Sequence, residues 1–330
     1  MFFNSMILGT MISISAYSWM SMWMGLEINL LSIIPILNST KNMFSSESSM
    51  KYFITQAMAS MILLFTVILM LSLNEFISPQ MNQTFMIMLN SALLTKIGAA
   101  PFHFWFPEVM EGLSWMNCFI LLTWQKIAPM ILMMNNKLNM NFMIIIIMFS
   151  LIISAFMSMN QMSLRKIMTF SSINHIAWML SSMMISYSIW MIYFIIYSII
   201  SYSIILMFHY NKSFYINQLI LIMNKNKMTK LIFMLNFLSL GGLPPFIGFL
   251  PKWLTINWLI NQNMYILSFT LIIFTLITLF IYTRIIFSSI ILYHNEIKIK
   301  QNYLNNYMFM LFNMIFILML IITPMIFNLM

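Results

Sequence analysis

Apolar runs recur from one end of the sequence to the other, separated by short polar interruptions. Taking about 20 residues as the length that crosses a hydrocarbon core, the pattern predicts about eleven transmembrane helices. Their expected bounds are 2–16, 19–38, 52–73, 83–106, 113–134, 141–160, 167–185, 189–208, 230–252, 264–291 and 307–327. The runs are apolar on every side, whereas a spanning barrel needs segments that alternate apolar and polar positions. The expected fold is therefore all-α, a polytopic membrane helix bundle forming a single integral membrane domain over 1–330. No basic segment precedes the first apolar run and no small-residue cleavage site follows it, so it is expected to remain as a helix rather than act as a removed signal.

Composition sharpens this picture without changing it. Hydrophobic residues make up 62% of the chain and charged residues 6%, which leaves no stretch able to form a soluble domain. One cysteine, Cys118, excludes disulfides, iron–sulfur clusters and thiolate metal sites. The 41 methionines and the lack of any aspartate fit an AT-rich genome that reads more codons as methionine, and so an organelle-encoded protein.

The net charge of +9 is too thinly spread for a nucleic-acid surface and reads instead as topology. With the N-terminus and every second loop on one side, that side collects Lys41, Lys51, Arg165, Lys166, Lys212, Lys225, Lys227, Lys230, Lys298 and Lys300. Lys137 alone falls on the other. The positive-inside rule then puts the N-terminus and the basic 209–230 loop inside, and an odd span count sends the C-terminus out.

Five charges remain within the spans: Glu27, Lys96, Lys126, Lys252 and Arg284. A charge near the bilayer centre costs about 2.5–3.5 kcal/mol on insertion scales, so such residues normally face the bundle interior or a wet path. Arg284 also fits a helix end from which it snorkels to the interface. Burial disfavours an ammonium and a nearby carboxylate favours it, so moving the carboxylate converts geometry into proton affinity.

Two stretches break the helical pattern in the same way. "KIGAAPFHFWFPEV" (Lys96 to Val109) and "LGGLPPFIGFLPKW" (Leu240 to Trp253) align at one constant offset, with Gly98 on Gly242, Pro101 on Pro245, Phe102 on Phe246 and Pro107 on Pro251. Proline removes a backbone donor and glycine permits close approach, so carbonyls are freed at each break. At membrane depth these are tolerated only when buried in protein or lining a water-filled cavity. The expectation is two internal repeats, 83–208 with its break at 98–107 and 230–327 with its break at 242–251. The spans carrying the breaks cross in opposite directions, so the repeats are inverted, a transporter pattern.

Six segments resemble the hallmark stretches of a known family: "MGLEINLLSIIPIL", "MKYFITQAMAS", "KIGAAPFHFWFPEV", "LLTWQKIAP", "LRKIMTFSSINHIAW" and "SLGGLPPFIGFLPKW". They run in order over most of the chain. The sequence resembles the antiporter-like membrane subunits of proton-pumping NADH:ubiquinone oxidoreductase, respiratory complex I, in the short animal mitochondrial form that lacks three N-terminal helices of bacterial relatives. That resemblance implies that Glu27 is the carboxylate paired with Lys96, Lys126 the central relay lysine, and Lys252 the residue passing charge toward a neighbouring antiporter-like subunit. His103 and His175 are implied as possible relay groups. It further implies partners among the other membrane-arm subunits and location in the mitochondrial inner membrane, with the N-terminus on the matrix side and the C-terminus on the intermembrane-space side. The cofactors NADH, FMN, iron–sulfur clusters and ubiquinone belong to other subunits, with none in this chain.

A haem site lacks its pairs of axial histidines, and "GGLPPFIG" lacks both the GxGxxG spacing and a preceding strand. Glu108 and Glu111 lie beside a loop and read as solvated. The alternative to a complex I subunit is a free-standing cation/proton antiporter, which uses the same broken helices and buried lysines.

Overall fold

The computed structural model describes residues 1–39, 42–72, 79–136, 139–223, 227–244 and 246–291. Lys41, Lys137, Lys225, Pro245, Lys298, Lys300 and the expected span 307–327 lie outside the described residues. Fourteen helices occur among those described. In order they are α1 (Phe2–Ser15), α2 (Trp19–Leu37), α3 (Met43–Ser72), α4 (Pro79–Ile97), α5 (Trp105–Gly112), α6 (Trp115–Leu122) and α7 (Trp124–Asn135). There follow α8 (Met140–Ser158), α9 (Leu164–Met183), α10 (Tyr187–Asn211), α11 (Ile216–Met223), α12 (Lys227–Gly241), α13 (Phe249–Asn261) and α14 (Tyr265–Ile291).

Six segments among the described residues are long and apolar enough to cross a membrane: Trp19–Leu37, Met43–Ser72, Trp115–Asn135, Met140–Ser158, Tyr187–Asn211 and Tyr265–Ser288. Two shorter apolar helices, Phe2–Ser15 and Lys230–Gly241, accompany them. The chain is an integral, multi-pass membrane protein whose described residues form helices and no strand-built sheet.

Contacts divide the chain into two compact units, Met1–Ile153 with Met168–Leu180, and Ser154–Ile167 with Ser181–Met330. In the first unit α1 and α2 meet backbone to backbone. A Cβ on Gly9 would lie 2.8 Å from the Asn29 nitrogen, and one on Gly25 only 2.6 Å from the Ser13 nitrogen. With lipid outside, no hydrophobic drive pairs helices, so close approach at small residues supplies the attraction. Helix α3 packs against α2, α4 and α5, and α7 against α1, α4 and α6. Gly112, closing α5, would carry a Cβ 2.4 Å from the Phe44 carbonyl oxygen. Beside this contact, Lys51 on α3 pairs with Glu47 at 2.9 Å and with Glu108 of α5 at 3.1 Å, both exposed. Glu108 is thus a solvated ion-pair partner, as its position beside a loop implied.

The second unit has an aromatic core in which Phe208 of α10, Phe233 and Phe237 of α12 and Tyr282 of α14 meet edge to face or tilted. Two of its loops are tied together: the Leu164 amide donates to the Phe214 carbonyl at 2.9 Å and the Ile216 amide to that of Met162 at 3.2 Å. Arg165 lies 4.7 Å from the Phe214 ring centroid. Arg284 is exposed and donates to the Met159 carbonyl, so it belongs to a helix surface rather than to the buried charges.

Three local features depart from the hydropathy pattern. The 209–230 loop contains α11, an eight-residue helix whose length of about 12 Å is too short to span. Helix α13 runs on to Asn261, beyond the expected end at 252. The run 113–134 is two helices, α6 and α7, parted at Thr123.

Candidate functional site

The two glycine/proline breaks are built from the same backbone motif. Helix α4 ends in a left-handed Gly98 with φ +81, and α12 is followed by Gly242 with φ +75, a region that glycine enters without steric cost. After the first, the Ala99 amide donates to the Leu94 carbonyl at 3.1 Å and that of Gly98 to Thr95 at 3.3 Å. At the second, Leu243 donates to Leu238 at 3.3 Å and Gly242 to Ser239 at 3.0 Å. Both are Schellman terminations, and the four residues correspond at the offset seen in sequence. The chain resumes as a helix after each, with Phe106 donating to the His103 carbonyl at 2.9 Å and Leu250 to that of Ile247 at 3.2 Å.

What the two breaks do with a freed carbonyl differs. In the first, the Thr95 oxygen, which already takes the Gly98 amide in place of its regular helical donor, also accepts from the Trp105 indole at 3.2 Å. In the second, the Gly241 oxygen accepts from the Lys252 ammonium at 2.8 Å, and the side chain folds so tightly over the break that a Cβ on Gly242 would lie 2.7 Å from its Cδ. Lys252 is buried in the first turn of α13, and Gly242 leaves the space through which it reaches back.

Lys96 occupies the last turn of α4, immediately before its break, and is 7% exposed. Glu27, half-buried on α2, lies within electrostatic reach of it but without direct ion-pair contact. One Glu27 carboxylate oxygen, Oε1, is buried and has no hydrogen-bond partner. Lys126 is 1% exposed in the first turn of α7, its Nζ 5.6 Å from the centre of the Phe106 ring on α5. A cation over a ring face gains electrostatic attraction but retains its hydrogen-bonding needs. Neither Gly nor Pro stands at the bend that starts this helix. Thr123 makes the bend by donating its hydroxyl to the Phe119 carbonyl at 2.8 Å while its own carbonyl takes the Lys126 amide at 3.1 Å. The available signal was Pro129, which cannot donate to the carbonyl of Gln125 one turn back.

His103 lies in the turn between α4 and α5, buried, with Nδ1 lacking a partner. His175 is buried on α9. The first unit therefore holds Glu27, Lys96, His103, Lys126 and His175, and the second holds Lys252.

Sequence reasoning missed a group of neutral polar residues beside Lys96. A small cavity is lined by Leu26, Asn29, Leu30, Tyr52, Gln56, Lys96, Gln125 and Pro129. Gln125 donates to the Asn29 amide oxygen at 2.9 Å and accepts the Tyr52 hydroxyl at 3.5 Å. Buried amides on hydrophobic helices carry no motif; only packing brings them together.

The chain matches the family described as "NADH:quinone oxidoreductase/Mrp antiporter, TM" over residues 16–281. NADH-ubiquinone oxidoreductase chain 2 of Anopheles gambiae is 52% identical over 269 residues, 81% of this chain and 79% of that protein. The chain 2 protein of Locusta migratoria is 45% identical over 296 residues, 90% of this chain and 86% of that one. A chain in the solved respiratory complex I of Thermus thermophilus with bound aureothin superposes with a TM-score of 0.85 over 97% of this chain and 77% of its own length, at 17% identity, a likeness of fold. With a matching broken-helix scaffold and these relatives, the chain belongs to the NADH:quinone oxidoreductase/Mrp antiporter membrane family, among the NADH-ubiquinone oxidoreductase chain 2 proteins.

Proposed function

We propose that this chain is a core membrane-arm subunit of a proton-pumping NADH:ubiquinone oxidoreductase and that Glu27, Lys96, Lys126 and Lys252 are its proton-translocating or charge-relaying groups. The observation that carries the reading is Lys96, buried at a broken helix end within electrostatic reach of a Glu27 carboxylate whose buried oxygen lacks a partner. A change in the Glu27–Lys96 separation alters how strongly Lys96 holds its proton. Protonation changes then pass to Lys126 and on to Lys252, with His103 and His175 as secondary relay groups. Moving one charge through 100 mV costs about 2.3 kcal/mol, an energy that pKa swings of a couple of units can match.

The remaining assignments belong to the same proposal. The matched Schellman breaks support two repeats, 83–208 and 230–327, and the odd separation expected from sequence between their broken spans supports an inverted pair within a bundle of about eleven spans. The names of the curated relatives, which make each one chain of an oxidoreductase, support a place beside other subunits of such a complex, and the Met-rich, Asp-free composition supports the mitochondrial inner membrane. Loop charges support an N-terminus on the matrix side and a C-terminus on the intermembrane-space side. Redox cofactors are assigned to partner subunits, since this chain has one cysteine, Cys118, and it is buried. The free-standing antiporter reading draws on the Mrp half of the family description, but the relatives at 45% and 52% identity carry the oxidoreductase name.

Lys96→Ala is expected to abolish most coupled proton translocation while the complex still assembles, measured as proton transfer per NADH oxidised in reconstituted vesicles. Normal stoichiometry would reject the scheme. Lys126→Arg keeps the charge but prevents titration, so it too is expected to impair translocation. Parental translocation in that variant would make Lys126 a fixed charge.

A further inference from the structure

We propose that Gln56, with Gln125, Asn29 and Tyr52, forms a built water site that serves Lys96, and that Gln56 and Gln125 are positioning residues for proton transfer at its Nζ. This deepens the function proposed above and rests on it, because the site has a purpose only if Lys96 exchanges protons.

Four observations converge on it. The cavity beside Lys96 offers about 10 Å³ to the centre of a water molecule, close to the least space that one water requires. Its polar lining comes from four helices: Asn29 on α2, Tyr52 and Gln56 on α3, Lys96 on α4 and Gln125 on α7. Gln56 is 4% exposed, and its Nε2 is buried without any partner in the protein. A buried amide donor left unmade costs about 1–3 kcal/mol, so its presence in a lipid-embedded core calls for an acceptor. Finally, the Gln125 amide is oriented by its 2.9 Å bond to Asn29, which leaves its oxygen held only by the Tyr52 hydroxyl at 3.5 Å, the far limit of hydrogen bonding.

One water satisfies these demands together. It accepts from Gln56 Nε2 and donates to Gln125 Oε1, which fixes its orientation and leaves one O–H for Lys96 Nζ and one lone pair for an incoming proton. When Nζ is a neutral amine, the water delivers one O–H proton to its lone pair as a proton arriving from solvent forms a new O–H bond on the same oxygen. The water is unchanged in the net step and the amine becomes an ammonium. In the reverse step the ammonium returns a proton to the water, which releases another. Leucine or methionine at 56 would leave this water with one anchor fewer. The titratable groups on the surrounding helices are Glu27 on α2, Glu47, Lys51 and Tyr52 on α3, and Lys126 on α7, with Glu47 and Lys51 paired to each other at 2.9 Å. None of them replaces the Gln56 donor.

The test uses the assembled complex. A map resolving waters is expected to show density within hydrogen-bonding distance of both Gln56 Nε2 and Lys96 Nζ, and Gln56→Leu to lose it. The same variant is expected to shift the pH profile of coupled proton translocation, with Gln56→Asn, which keeps an amide donor, moving back toward the parental profile. A dry cavity in the parental complex, or a Gln56→Leu profile that superposes on the parental one, overturns the proposal. If Gln56→Leu does not assemble, the parental map alone decides. Lys96→Ala separates the two levels: lost translocation there with an unchanged Gln56→Leu profile sinks the water site alone, whereas normal translocation in Lys96→Ala sinks the function and the site together.

Discussion

Asn90 of α4 and Asn136, which caps α7, show at single-residue scale how costly polar groups are kept in this bundle. Asn136 Nδ2 donates to Asn90 Oδ1 at 3.0 Å, yet Asn90 Nδ2 and Asn136 Oδ1 are both buried with no partner. Removing one member strips the other of its remaining bond and is expected to cost about 1–3 kcal/mol, while removing both takes the unmet groups away as well. Asn136→Leu is therefore expected to lower the detergent melting temperature more than the Asn90→Leu/Asn136→Leu double variant does. A double variant less stable than the single one would show that the pair stabilises by shape rather than by hydrogen bonding. Lys252 illustrates the same economy with a charge, since its ammonium occupies a carbonyl that the helix break sets free. Of such details the sequence disclosed the residue types but not the partners: Lys96 and Lys252 are both buried lysines beside matched breaks, and only the folded chain gives one a polar cavity and the other a backbone oxygen.

At the scale of elements, the decisive contacts are made by backbone. The crossing of α1 over α2 leaves no room for a side chain at Gly25, so Gly25→Ala forces the helices apart or bends one of them. Overpacking of this kind costs about 1–3 kcal/mol, and more where neighbours are main-chain atoms that cannot rotate away. The expected outcome is a lower melting temperature together with faster proteolysis within α1; an unchanged melting curve would show that the crossing is loose. Asn29 lies at this crossing and also lines the Lys96 cavity, so separation of α1 and α2 is expected to disturb the polar cluster as well. The glycines were visible in sequence, but which of them sit at a helix crossing and which at a break was separable only where proline accompanied them. Gly98 and Gly242 had that company; Gly9 and Gly25 did not.

For the whole molecule, the loop charges make a prediction about sidedness. Lys212 follows α10 in the left-handed conformation, with φ 49, on the side expected to share a compartment with the N-terminus. A cysteine placed there is expected to react with an impermeant maleimide from the matrix side only, against a silent background because Cys118 is buried. Labelling from the opposite face would invert the topology and the assignment of the basic loops with it. The unexpected α11 leaves this argument intact, because a helix too short to span leaves Lys212 and the residues after it on one side.

The sequence by itself determined that the chain is a helical membrane protein and where most helices run, because lipid forces every backbone group into internal hydrogen bonds and demands long apolar segments. It also marked two broken helices, since glycine and proline act on their own backbone and need no distant partner. Tertiary structure alone decided the bend at Thr123, the contact of α1 with α2, and the gathering of Asn29, Tyr52, Gln56 and Gln125 around Lys96. Those features depend on side chains far apart in the chain meeting in space, and a polar residue on an apolar helix looks the same in sequence whether it meets a partner, a cavity or nothing.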